Sequence, residues 1–127
     1  MLARVVNSFL KMPSHQEVAE ELKNATAEPG LTANKLFTDG QRQFREHLGR
    51  APASNAPFAY KYSFVQSTTS LANDFGKEYG TKLLTIGADK KFAMRTFNAW
   101  SDWASEESQP VMNSLQVAVH SRPGSGN

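Results

Sequence analysis

The sequence predicts an all-α fold: a helical bundle of four to six helices with a principal antiparallel helical hairpin, about residues 59–87 and 89–107. Three observations predict it. Apolar residues recur at i, i+3, i+4 and i+7 in successive segments. Residues that start and stop helices stand between those segments. Strand signals are nearly absent, since no period-2 alternation is sustained and the Asp39-Gly40 pair lies inside a helical pattern. The length fits a single all-helical domain, 1–127.

Residues 1–12 form an N-terminal amphipathic arm. Leu2, Val5, Val6, Phe9 and Leu10 make one apolar stripe, and Arg4 and Lys11 stand there with no acid. Pro13-Ser14 ends it. Ser14 reads as the N-cap of the next helix, with Glu17 three residues later completing a capping box. Val18, Ala19, Leu22 and Ala25 form its narrow apolar face, and Pro29-Gly30 is read as its stop. Thr32 is a candidate cap for a third helix, with Leu36, Phe37, Phe44 and Leu48 inward, Gly40 a weak point and Gly49 the stop.

Residues 49–58 are a Pro-containing linker, because prolines 52 and 57 exclude a helix between them. In the helix at about 59–87, an apolar arc holds Tyr60, Phe64, Val65, Thr68, Leu71, Ala72, Phe75, Tyr79, Leu83 and Ile86. Gly87 can stop it, and Asp89 can cap a helix whose inner face is Phe92, Ala93, Phe97, Trp100, Trp103 and Ala104. So short a turn requires the two helices to be neighbours. Pro110 is expected to break or kink the chain before a last stripe of Val111, Met112, Leu115, Ala118 and Val119. The pattern then ends in a tail, residues 122–127.

Composition excludes several functions. Charged residues are 20% and hydrophobic residues 39%, which fits neither a charge-rich disordered chain nor a membrane protein. No apolar run is long enough to span a bilayer, so no membrane span is expected. Without cysteine there is no thiolate metal site, disulfide or Cys nucleophile. His15, His47 and His120 fall in different segments with no metal-type spacing, so no metal and no cofactor is expected. His47 beside Glu46 is the one acid–base candidate, and its place in a last helical turn suits a surface cation instead. No catalytic residue is assigned, and the chain is expected not to be an enzyme.

The polar side of the helix at 59–87 is unusual. A stripe of Tyr62, Thr69, Asn73, Gly76, Gly80 and Leu84 bears no charge, and beside it run Ser63, Ser67, Ser70, Asp74, Thr81 and Thr85. A solvated helix favours Lys and Glu at such positions. Two interior glycines each cost about 1 kcal/mol relative to Ala, and close packing against another helix would offset that. This stripe is the expected partner-binding surface, with the two terminal segments as outlying arms.

Charge is segregated as well. Residues 31–61 and residues 77–95 each contain five cations and two acids, whereas residues 13–30 contain one cation and four acids. The leading expectation is therefore a non-catalytic helical structural or accessory subunit of a larger protein assembly. A mitochondrial complex is favoured over a cytoplasmic one, because an acid-free basic amphipathic start resembles an import signal. The alternative is a structural coat-type protein that binds nucleic-acid backbone through Arg42, Arg45, Arg50, Lys90, Lys91 and Arg95.

Overall fold

The structure is a computed structural model that describes residues 15–116. The arm at 1–12, the cap at Ser14 and the tail at 122–127 lie outside the described residues. Those described form four helices and no strand: α1 (His15–Asn24), α2 (Glu28–Leu48), α3 (Phe58–Thr85) and α4 (Lys90–Leu115). Each packs against the next in the chain, and α1 also packs on α4, closing an up-and-down bundle. The α1–α4 pair runs antiparallel, since His15 meets Glu106 and Glu21 meets Arg95.

Helix α1 is short and is anchored by buried Val18 and Leu22. It ends at Asn24, so Pro29-Gly30 is not its stop. Both residues lie in the first turn of α2, whose N-cap is Ala27 rather than Thr32. First-turn N–H groups have no helical acceptor, so proline loses nothing there. Gly30 is buried where a Cβ would collide with the methyl of Ala25, and its bare backbone lets α1 and α2 join through a tight connection.

The α3–α4 turn follows the sequence reading. The Ala88 N–H donates to the Leu83 carbonyl (2.9 Å) and the Gly87 N–H to that of Leu84 (3.1 Å). This paired closure places Gly87 at φ 94°, where glycine has no steric penalty. Asp89 then accepts the Phe92 N–H at 2.7 Å as the N-cap of α4.

Pro110 does not break α4, which runs through it to Leu115. Proline removes one N–H and leaves the Glu106 carbonyl without its helical donor. Both residues are exposed, so water can take that carbonyl. Beyond Pro110 the helix is held by packing, with Leu115 buried and Val111 and Met112 against the core.

The core is centred on Trp100, which has no exposed surface. The rings of Phe37, Phe44, Phe75, Tyr79 and Trp103 surround it at centroid distances of 5.1 to 6.0 Å. Its indole N–H reaches across to the Ala72 carbonyl of α3, at 2.9 Å. Phe64 and Leu83 are buried as the helical faces predict, and Leu71, Phe92 and Phe97 are half-buried. Tyr60 departs from that arc: it is 67% exposed.

Candidate partner-binding surface

Residues of α3 advance about 100° each, and the predicted stripe divides on that wheel. Tyr62, Thr69, Asn73 and Leu84 are exposed along one flank, with Gly80 half-exposed among them. Nothing lies within 4 Å of where a Cβ on Gly80 would stand. Gly76 turns inward instead. A Cβ there would sit 3.4 Å from both Phe97 Cε1 and Trp100 Cδ1, so this glycine lets α4 bring its indole to the Ala72 carbonyl. One glycine of the pair thus serves the bundle itself and the other faces outward.

The flank is less polar than its residue types suggest. The Thr69 hydroxyl donates back to the Val65 carbonyl at 3.1 Å, which leaves its methyl outward. Phe58 stacks on Tyr62 with centroids 5.9 Å apart, adding an aromatic face. The Asn73 amide and the Tyr62 hydroxyl are the polar groups offered, and no residue of the stripe is charged.

The six candidate phosphate contacts do not gather. Arg42 pairs with Glu46 at 3.3 Å, and Arg95 with Glu21 at 2.8 Å. Arg45 pairs with Glu107 at 3.0 Å and lies over the Trp103 ring, 5.2 Å from its centroid. Arg50, Lys90 and Lys91 are exposed without an ion pair among the described residues. Arg50 follows α2, whereas the two lysines open α4 at the other end of the bundle, on the order of 40 Å away along α3.

His47 is not a free surface cation. Its ring stacks on Phe64 at 4.6 Å with planes 3° apart, and its Nε2 lies 2.8 Å from the Thr68 hydroxyl oxygen. Thr68 donates its only hydroxyl proton to the Phe64 carbonyl, at 2.7 Å. Its oxygen can therefore only accept from His47, which puts the ring proton on Nε2. Burial first, and then the Arg50 charge, hold the His47 pKa below its ordinary 6.5. The folded state thus binds this proton less readily than the unfolded chain, so the contribution is present above about pH 6.5 and is lost as pH falls through the folded pKa. Urea midpoints are expected to fall between about pH 7.5 and 5.5 by more in the wild type than in His47→Gln, whose amide can still donate to Thr68.

Sequence reasoning missed the exposure of Phe58 and Tyr60. The signal was present, since aromatics at 58, 60 and 62 alternate with period 2 and cannot share one helical face. Among the described residues, no three His, Asp or Glu side chains gather as a metal site needs. No protein-family model matches the chain, and no significant match to a curated protein or a solved structure is found.

Proposed function

We propose that this chain is a non-catalytic helical subunit that docks on other protein subunits through the outer flank of α3. The observation that carries this reading is the charge-free exposed run Tyr62, Thr69, Asn73, Gly80 and Leu84, on a helix whose opposite face is satisfied within its own bundle. Exposed helix positions ordinarily bear charges. Gly80 lets another backbone come close, and Leu84 and Tyr62 supply apolar area on either side. The mitochondrial setting rests on the acid-free pattern of residues 1–12. The nucleic-acid alternative is weakened by the carboxylates that already hold Arg42, Arg45 and Arg95.

The two glycines provide the test. Gly80→Leu adds a side chain in open space, so the isolated chain should keep its helix content and gain slightly in stability. It should no longer co-purify with its partners, as read by native mass spectrometry. Gly76→Leu forces a side chain against Phe97 and Trp100, and is expected to destabilise the isolated chain by about 1–3 kcal/mol through overpacking. Assembly that survives Gly80→Leu, or a wild-type protein recovered as a bare monomer, would show that α3 is not the docking surface.

A further inference from the structure

Beyond Glu46 and the Glu106-Glu107 pair, whose carboxylates are held by Arg42, His15 and Arg45, one end of the bundle carries no acid among the described residues. There α3 begins, α4 ends, and the connection from α2 crosses; residues 47–73 and 108–116 contain no Asp or Glu. Arg50 and Lys61 do stand there, and neither forms an ion pair with a described residue. Of the six exposed large apolar side chains among the described residues, three fall within five residues at this end: Phe58 and Tyr60, each 67% exposed, and Tyr62.

These rings do not form one face. Phe58 and Tyr62 stack together, while Tyr60 points about 160° round the helix from them. A partner lying along one flank, such as a protein helix or a nucleic-acid strand, covers one side and leaves the other in water. A lipid interface encloses the end of a helix and covers both. Aromatic rings with polar tips settle at headgroup depth, and Lys and Arg that no carboxylate holds are drawn to anionic headgroups. We propose that this end, with Phe58, Tyr60 and Tyr62 as the inserted rings and Arg50 and Lys61 as the cations, seats on an anionic lipid surface. The contact is peripheral, since no helix among the described residues is long and apolar enough to cross a membrane. It shares the stacked Phe58 and Tyr62 with the near end of the α3 flank, and it is set apart from subunit docking by Tyr60, Arg50 and Lys61, none of which belongs to that flank.

Co-sedimentation of the full chain with phosphatidylcholine vesicles, with and without phosphatidylglycerol, tests this. The wild type is expected to bind the anionic vesicles and only weakly the neutral ones. Arg50→Gln with Lys61→Gln should lower partitioning into anionic vesicles by about 25-fold, about fivefold for each cation, and should leave the neutral vesicles unaffected. Tyr60→Ser and Phe58→Ser, made singly, should each lower it by about tenfold with unchanged helical circular dichroism, because both rings are exposed. Gly80→Leu should bind vesicles like the wild type, so failure of the docking reading and failure of this one can be told apart. No preference for anionic vesicles would overturn the proposal. So would dependence on Phe58 but not Tyr60, which marks a one-sided partner, or binding of a polynucleotide through these residues without vesicle binding.

Discussion

Trp100→Ala is expected to cost about 4–6 kcal/mol. Truncating a large buried aromatic costs about 3–5 kcal/mol, and the lost hydrogen bond to Ala72 adds about 1 kcal/mol. The residue has no exposed surface and meets aromatic rings from α2, α3 and α4 at once, so no single helix shift can close the void. Domains of this kind are stable by only about 5–15 kcal/mol, and the variant should be largely unfolded at modest urea. Trp100→Phe, which keeps ring contact and loses the indole donor, should fall about midway. Equilibrium denaturation followed by far-ultraviolet circular dichroism reads both, and a loss under about 2 kcal/mol for the alanine variant would remove Trp100 from the centre of the core.

Gly40→Ala is expected to destabilise by about 2–3 kcal/mol even though alanine is the better helix former by about 1 kcal/mol. A methyl on Gly40 would run into the hydroxyl of Tyr79 and approach the edge of Trp100. The Tyr79 ring cannot easily retreat, because it stacks on Phe75 and meets Trp100 edge-on, 5.2 Å away. Its hydroxyl is buried without a hydrogen-bond partner, and burial raises its pKa, so it stays neutral. Tyr79→Phe alone should then stabilise by about 1 kcal/mol, by removing an unsatisfied polar atom. Combined with Gly40→Ala it should recover most of the loss, since the atom in the way is gone. Additive effects in this double-mutant cycle would show that the two residues do not touch.

How much of this was legible follows from which signals are local. The α3–α4 hairpin was readable because Gly87 and Asp89 act within one turn of their own positions. The inner face of α4 was readable because Ala93, Trp100, Trp103 and Ala104 keep helical spacing. Pro29-Gly30 was misread because proline fits both just beyond a helix and in its first turn, and only the contact of Gly30 with Ala25 distinguishes them. The break allowed for at Pro110 does not occur because its cost is offset by packing of Leu115, which spacing alone does not display. The stripe on α3 was visible as an absence of charge. Its division at Gly76 was not, because the reach of Trp100 toward the Ala72 carbonyl belongs to the geometry of the pair. His47 looked like a solvated cation until α3 brought Phe64 and Thr68 against it.

The placing of the two tryptophans also determines what light can report. Trp100 and Trp103 are the chain's only indoles, they are in contact at 5.1 Å, and both are buried. Intrinsic emission on selective excitation therefore comes from one coupled pair in the middle of the molecule. It will follow cooperative melting faithfully and remain silent to whatever meets the rim at Phe58 or the flank at Leu84. An indole placed at position 58 would be seen against that constant background. A binding event and a loss of the interior would then be two separable signals in a single spectrum.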